Sequence, residues 1–152
     1  MCGIAGWVGS RASTATVFDG KLQSIKKVIE FQNHRGPDAN GIWEDRVNDV
    51  ILGHNRLSIV ELSEAGAQPM EDDSGDWVIS YNGELYNHDK LRQELIKKFS
   101  VTFRGRSDTE VVLYAIKYFG IDEFLRKADG MFAFAVFDKA RGDFYLARDR
   151  VG

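Results

Sequence analysis

The sequence has one cysteine, no long apolar run and no excess of basic residues, and each shortage excludes a class of protein. A single cysteine, Cys2, excludes an intrachain disulfide framework and a zinc site built from paired cysteines, and it fits a reducing compartment best. No apolar run approaches the about 20 residues of a membrane helix, and the first residues lack the regions of a signal peptide. The net charge of −3 argues against an electrostatic nucleic-acid partner. We therefore predict a cytoplasmic protein that binds neither membranes nor nucleic acids.

Motifs for nucleotides and metals are also missing from the sequence. It contains neither GxxxxGK[ST] nor GxGxxG, the patterns that cradle nucleotide phosphates. Its three histidines, His34, His54 and His88, follow one another at intervals of 20 and 34 residues and form no HxxxH pair. We expect structural histidines, and neither a metal nor a cofactor in this chain.

What remains has the composition of one folded domain. The 152 residues are 43% hydrophobic and 28% charged, which is close to the average for globular domains. A chain of this length buries a substantial core. We predict a single domain over residues 1–152.

Hydrophobic periodicity and turn signals predict strands in groups, separated by helices. The predicted strands are 3–9, 41–46, 49–54, 77–81, 101–103, 131–138 and 143–148. The predicted helices are 17–33, 88–99 capped by Asn87, and 111–119 behind the capping box Ser107–Glu110 and before Gly120, with a surface loop over 63–76. Grouped strands with short connections favour an α+β fold with largely antiparallel sheets.

Cys2 directly follows the initiator methionine, and this position suggests a chemical role. If Met1 is removed, Cys2 carries both a thiol and a free α-amine. Ordinary thiols titrate near ~8.5 and α-amines near ~7.7 to 8.0, so the amine can accept the thiol proton at neutral pH. The alternative at this point is that Cys2 is an incidental small residue.

The segment Tyr81–Asn87 lies between a predicted strand and a predicted helix. There, the Asn82 amide and the Gly83 backbone N–H could stabilise a developing oxyanion. Asn-Gly is also the commonest hairpin-turn dipeptide, so a plain turn is the alternative.

Two charged residues each have a functional and a structural interpretation. Arg56 is the only cation in residues 56–60, and its guanidinium fork suits a carboxylate, although a surface salt bridge is the usual fate of such a residue. Asp108 could serve as an anionic ligand, or it could simply favour the dipole at the start of a helix.

Seven sequence blocks, taken together and in order from end to end, resemble the class II glutamine amidotransferase domain of glutamine-dependent asparagine synthetases. The blocks are Met1–Gly6, His34–Asp38, Gly53–Ile59, Gln68–Met70, Tyr81–Asn87, Ser107–Glu110 and Ala147–Gly152.

The resemblance implies an N-terminal-nucleophile hydrolase fold, a four-layer αββα sandwich that hydrolyses L-glutamine to glutamate and ammonia. It implies that Cys2 is the nucleophile, that it forms a glutamyl thioester, and that its own α-amine is the base. The further residues that it implies are Asn82 and Gly83 for the oxyanion, Arg56 for the substrate α-carboxylate, Glu84 and Asp108 for the α-ammonium, and the main chain of Ile59 and Val60 along the same pocket.

Relatives in this family continue beyond the equivalent of Gly152, with further strands and then a synthetase domain. We therefore expect residues 1–152 to be an amidotransferase domain lacking its C-terminal strands, with an exposed sheet edge that favours a homodimer. The ammonia would pass to the synthetase domain to amidate a carboxylate, aspartate by default, and ATP and magnesium would bind only there. The alternative is a catalytically silent domain that only binds glutamine or another protein, because a retained Met1 blocks the α-amine or because the C-terminal strands are missing.

Overall fold

The computed structural model of the chain describes residues 2–9, 13–58, 61 and 63–151, which form two antiparallel sheets and four α-helices. The strands are β1 Gly3–Val8, β2 Ala39–Asp45, β3 Val50–Arg56, β4 Met70–Glu71, β5 Trp77–Leu85, β6 Gly130–Asp138 and β7 Asp143–Arg148. The helices are α1 Ala15–Phe31, α2 His88–Phe99, α3 Asp108–Phe119 and α4 Ile121–Lys127. Within the described ranges, no helix is long and apolar enough to cross a membrane.

The first sheet has the strand order β1-β3-β2 and is covered by helix α1. Strand β3 is buried along its whole length between its two neighbours, as expected for a central strand. Helix α1 buries Phe18, Leu22, Ile25 and Ile29, whose spacing places them on one face, against Ile51 of β3. This sheet positions Cys2, which immediately precedes β1.

The second sheet has the order β4-β5-β6-β7, and its outer face carries the largest core of the molecule. Tyr81 and Phe134 of the sheet pack there with Leu91 of α2, Leu113 of α3 and Phe124 of α4. Helix α3 is apolar almost all round and is buried from Asp108 to Ile116. Its N-terminus is consequently held firmly beside β5.

The two sheets pack face to face through a third apolar cluster. Val50 and Leu52 of β3 meet Val78 of β5 and Ala135 and Phe137 of β6. The layers are therefore helix, sheet, sheet and helices, which confirms the predicted αββα sandwich. Phe132, Phe134 and Phe137 of β6 are all buried.

Several predicted boundaries were wrong. Helix α1 ends at Phe31 and passes into a 3-10 turn, and β5 continues to Leu85 instead of ending at Tyr81. Residues 101–103 form no strand, whereas the predicted loop over 63–76 contains β4 and a short 3-10 turn. Helix α4 was not predicted, because a seven-residue helix that fully buries only Phe124 leaves a weak periodic signal.

The helix caps follow the predictions only in part. The Ser107 hydroxyl accepts a hydrogen bond from Thr109 N at 3.1 Å, as an N-cap residue does. Glu110 does not complete the capping box; its buried carboxylate accepts from the backbone N–H groups of Arg104 and Gly105. The Asn87 side chain does not cap α2, because its amide donates to Lys127 O and accepts from Asp129 N.

Candidate active site

A pocket of about 120 Å³ lies where the start of β1 and the end of β3 meet β5 and the N-terminus of α3. Six of the eight residues singled out in the sequence line it: Cys2, Arg56, Asn82, Gly83, Glu84 and Asp108. The other two, Ile59 and Val60, lie outside the described residues. Residues from both sheets and from one helix therefore meet at one site.

Cys2 is held at this pocket by the end of strand β3. Its Sγ accepts a hydrogen bond from Leu57 N at 3.3 Å, and the same sulfur lies 3.8 Å from Leu57 O. Arg35 Nε donates to the Cys2 carbonyl oxygen at 3.2 Å, which fixes the main chain beside the thiol. The thiol is half-buried and opens on the pocket, so it is placed to react with a bound molecule.

The free edge of β5 forms the opposite side of the pocket. Strand β4 pairs only with residues 78 and 79 of this edge. Beyond residue 79, side chains accept the backbone hydrogen bonds that a neighbouring strand would otherwise accept. Tyr81 N donates to Gln68 Oε1 at 2.6 Å, and Leu85 N donates to Asp108 Oδ2 at 3.0 Å. In an antiparallel pair, alternate residues direct their backbone groups to the same edge. The N–H of Gly83 therefore also points to this edge, where it faces the pocket.

Asn82 and Gly83 do not form a turn. They lie inside β5, opposite Ala133 and Phe132 of β6, so the hairpin-turn interpretation was wrong. A Cβ atom added to Gly83 would lie 2.4 Å from Met131 O, so the close approach of β6 requires glycine here. The result is an accessible backbone donor next to an amide side chain.

Arg56 provides the positive charge of the pocket. Its guanidinium donates to the carbonyl oxygens of Glu61 and Ser63, the latter at 3.0 Å, and the residue is almost fully buried. No carboxylate of the described residues lies within ion-pair distance of it, so the surface salt-bridge interpretation was wrong. A buried fork of this kind suits a carboxylate ligand.

The position of Asp108 is compatible with both interpretations made from the sequence. It is the first residue of α3, and it also lines the pocket with 8% of its surface exposed. Its Oδ2 accepts from the Tyr81 hydroxyl at 3.2 Å as well as from Leu85 N. Burial and the Asp108 charge raise the pKa of Tyr81 well above its usual value, so the phenol keeps the proton that it donates. A carboxylate has about four acceptor sites, so Asp108 retains capacity for a ligand.

Several pocket-forming residues were not recognised as such from the sequence. Asp38 Oδ2 accepts from Ser58 N at 2.7 Å, and Asp38 N donates to Arg56 O at 3.1 Å, so this residue shapes the chain after β3. Gln68 joins β5 to α3, because its Nε2 donates to Thr109 Oγ1 at 3.2 Å while its oxygen accepts from Tyr81 N. The sequence does not show such roles, because the two bonded residues are far apart along the chain and most of the bonds involve a main-chain group.

Glu61 joins Arg56 to the segment that precedes α3, because its carbonyl oxygen accepts from Arg56 and its side chain bonds Arg106. Its carboxylate accepts from Arg106 N at 3.0 Å and from the hydroxyl and N–H of Ser63. These bonds lower the pKa of Glu61 to about 2, and the bond from Arg106 N has the largest effect on it. Glu61 therefore stays ionised at neutral pH and ties this wall of the pocket to the segment that precedes α3.

Comparison with known protein families covers the whole chain. Residues 1–152 match the glutamine amidotransferase domain family. The chain belongs to this family. The match confirms the resemblance found in the sequence blocks and identifies the chain as an enzyme domain of the glutamine amidotransferase class.

Individual relatives support the same assignment. The chain is 38% identical to asparagine synthetase 3, glutamine-hydrolysing, of Bacillus subtilis, over 100% of its own length and 24% of the relative. It is 37% identical to amidase chry2 of Gibberella zeae, over 100% of its length and 23% of that protein. The chain thus spans about a quarter of the length of these relatives.

The fold also matches a solved structure. Glutamine phosphoribosylpyrophosphate amidotransferase from B. subtilis, complexed with ADP and GMP, superposes with a TM-score of 0.66 over 96% of this chain and 37% of that one. At 21% identity, this likeness concerns the fold alone, and it agrees with the predicted N-terminal-nucleophile hydrolase sandwich.

Proposed function

We propose that this domain hydrolyses L-glutamine to glutamate and ammonia through a thioester on Cys2. The observation that carries the proposal is the meeting of the Cys2 sulfur, held by the first sheet, with Asn82 and the Gly83 N–H on the free edge of the second. A nucleophile facing neutral hydrogen-bond donors is the arrangement that acyl transfer requires.

The charges around the pocket fit the two charged groups on the α-carbon of glutamine. The Arg56 guanidinium holds the α-carboxylate, while the carboxylates of Asp108 and Glu84 hold the α-ammonium. The neutral amide end then lies between Cys2 and Asn82. One cation and two anions match a zwitterionic substrate and would bind a plain dicarboxylate poorly.

The first half of the reaction forms the thioester. With Met1 removed, the Cys2 α-amine takes the thiol proton, and the sulfur attacks the amide carbon of glutamine. The negative charge that develops on the amide oxygen is stabilised by the Asn82 amide and the Gly83 N–H. The carbon–nitrogen bond then breaks, the α-ammonium returns its proton to the leaving nitrogen, and ammonia departs.

The second half releases glutamate. The α-amine accepts a proton from a water molecule, which attacks the thioester carbon, and the same two donors stabilise the oxyanion again. The carbon–sulfur bond breaks and the sulfur regains its proton. The cycle requires a free α-amine, so the protein that retains Met1 is inactive in this scheme.

The fate of the ammonia is a further part of the proposal. Since the chain spans about a quarter of relatives that include an asparagine synthetase, we propose that a synthetase domain in the same protein consumes the ammonia. That domain would use ATP and magnesium to amidate an acceptor carboxylate, with aspartate as the default acceptor.

The test is an assay of glutamate and ammonia released from glutamine by the protein without Met1, compared with Cys2→Ala. We expect equimolar products from the unsubstituted protein and none from Cys2→Ala, with unchanged circular dichroism. Full activity of Cys2→Ala would overturn the mechanism. An inactive unsubstituted protein whose mass lacks Met1 would instead favour a domain that only binds glutamine.

A further inference from the structure

Two hydrogen bonds join the two sheets directly beside the active site. His54 Nε2 donates to Tyr81 O at 3.0 Å, and the Ser80 hydroxyl donates to Gly53 O at 3.1 Å. Adjacent residues on β3 and adjacent residues on β5 thus make reciprocal contacts, and all four are fully or almost fully buried. We call these two contacts the inter-sheet bonds.

The His54–Tyr81 bond lies close to both halves of the proposed catalytic apparatus. On β3, His54 is three residues before Leu57, whose N–H holds the Cys2 sulfur at 3.3 Å. On β5, the Tyr81 carbonyl belongs to the same peptide group as the Asn82 N–H, and Gly83 follows. The path from nucleophile to oxyanion donors therefore runs through the His54–Tyr81 bond.

This placement matters because the contact between the sheets around these bonds is mainly apolar. Val50, Leu52, Val78, Ala135 and Phe137 stabilise the packing without fixing its direction. Catalysis needs the reacting groups held to within about 0.5 Å. Directional hydrogen bonds between the strands fix that distance where apolar packing alone does not.

We propose that His54 is a positioning residue, which together with Ser80 fixes the Cys2 sheet relative to the Asn82–Gly83 edge during glutamine hydrolysis. The inference rests on the proposed function. His54 does not touch substrate in this account, because it is buried beneath the pocket and is absent from the pocket wall.

The protonation of His54 suits this role. A carbonyl oxygen can only accept, so the proton lies on Nε2, and Nδ1 has no hydrogen-bond partner among the described residues. Burial, assisted by the positive charge of Arg56, lowers the pKa of His54 to about 4. The imidazole therefore remains neutral, with one fixed donor, across the pH range in which a cysteine hydrolase works.

The test compares His54→Leu, which has no donor, with His54→Gln, whose terminal N–H has a similar reach. The matched control is Trp43→Phe, because Trp43 Nε1 also donates across the sheets, to Glu71 Oε1 at 2.9 Å, but away from the pocket. The Phe ring retains the packing against Phe137. Two readouts are measured: kcat and KM for glutamine, and amide hydrogen exchange of the peptide covering residues 80–85.

We expect His54→Leu to lower kcat by about 10-fold or more with little change in KM, since small misplacements of reacting groups are costly. His54→Gln should recover most of kcat, Ser80→Ala should show a smaller loss, and Trp43→Phe should show none. Exchange in residues 80–85 should accelerate in His54→Leu and not in Trp43→Phe.

Unchanged kcat and unchanged exchange in a folded His54→Leu protein would overturn the proposal, as would an equal loss of kcat in Trp43→Phe. The exchange readout does not depend on turnover. If the unsubstituted protein fails to hydrolyse glutamine, the proposed function fails, while the exchange data still decide whether His54 fixes the strand.

Discussion

The two sheets contribute different chemistry to the same pocket. The first sheet, covered by one helix, brings Cys2, the proposed nucleophile, and the cation Arg56 to the ends of β1 and β3. The second sheet, buried under three helices and the largest core, brings Asn82 and Gly83 on β5 and adjoins Asp108 of α3. Nucleophile and positive charge lie on one side, and neutral donors and negative charge on the other.

Because each sheet contributes different groups, the complete site exists only where the sheets meet. The proposed oxyanion donors belong to a strand fixed by a large core, so in the proposed mechanism little reorganisation is needed when charge develops there. The sulfur and the guanidinium lie at strand ends and depend on main-chain contacts with Leu57, Glu61 and Ser63. Substitutions on the two sides should therefore change different kinetic constants.

The largest effect is expected on the second sheet. Asn82→Ala removes one oxyanion donor, and we predict a fall in kcat of about 10²-fold or more with a small change in KM. Steady-state glutamine hydrolysis measures both constants. An unchanged kcat would remove Asn82 from the oxyanion site and break the proposed division between the sheets.

The control for this substitution is Asn87→Ala. Asn87 lies just beyond the same strand, and its amide joins Lys127 and Asp129 outside the pocket. Loss of these bonds should lower stability by about 1 kcal/mol while kcat stays unchanged. A comparable fall in kcat in both variants would show that Asn82 acts only through the stability of the strand.

A smaller effect, on a different constant, is expected from the first sheet. Arg56→Ala removes the charged partner of the substrate carboxylate, and we predict a rise in KM of about 10-fold with a lesser effect on kcat. The matched control is Arg46→Ala, because Arg46 is a surface cation paired with Asp19 and Glu44. An unaltered KM in Arg56→Ala would make Arg56 a purely structural donor to Glu61 and Ser63.

The last effect concerns stability rather than turnover. The folded-state pKa of His54, about 4, lies below the unfolded value of about 6.5, so between these values the unfolded chain binds more protons. The contribution of neutral His54 to the free energy of unfolding is fully present above pH 6.5. It is lost as the pH falls towards 4, by about 3 kcal/mol in all. Urea unfolding of the unsubstituted protein and of His54→Gln at pH 7 and pH 4.5 measures the difference.

In His54→Gln this part of the pH dependence should disappear. The carboxylates with lowered pKa values, Asp49, Glu61, Asp72 and Glu94, lose most of their contribution only as the pH falls below about 4.5, and they are common to both proteins. Equal slopes in the two proteins would mean that His54 accepts a proton in the folded state without cost, and that its contact with Tyr81 O adapts.

The sequence predicted the layers of the fold and the members of the pocket more reliably than the local path of the chain. Strand β1, helix α2 and the β6–β7 hairpin have strong periodic patterns and short connections, so their positions were right to within a residue or two. The pocket residues were found through their order along the chain. No local pattern places Cys2 beside Asn82, since 80 residues separate them.

The wrong predictions share a physical cause, which is that tertiary contacts override local preference. Asn82-Gly83 prefers a turn, but pairing with β6 keeps it extended, and the glycine is required by Met131 O rather than by a turn. Asn87 prefers to cap α2, but its amide instead bonds main-chain groups of Lys127 and Asp129 at and just after the end of α4. Gln68, Asp38 and His54 were not recognised as supports of the pocket because their partners are backbone groups far away along the chain.

The central claim is that Cys2 is an organised nucleophile in a glutamine pocket formed by both sheets. The most direct measurement is the intact mass of the purified protein before and after exposure to a diazo-ketone analogue of glutamine. We predict a starting mass without Met1, then a single adduct that maps to Cys2, the only cysteine, and that glutamine prevents. A protein that lacks Met1 and still gains no adduct, or gains one that glutamine does not block, would show that Cys2 is not an organised nucleophile in a glutamine pocket.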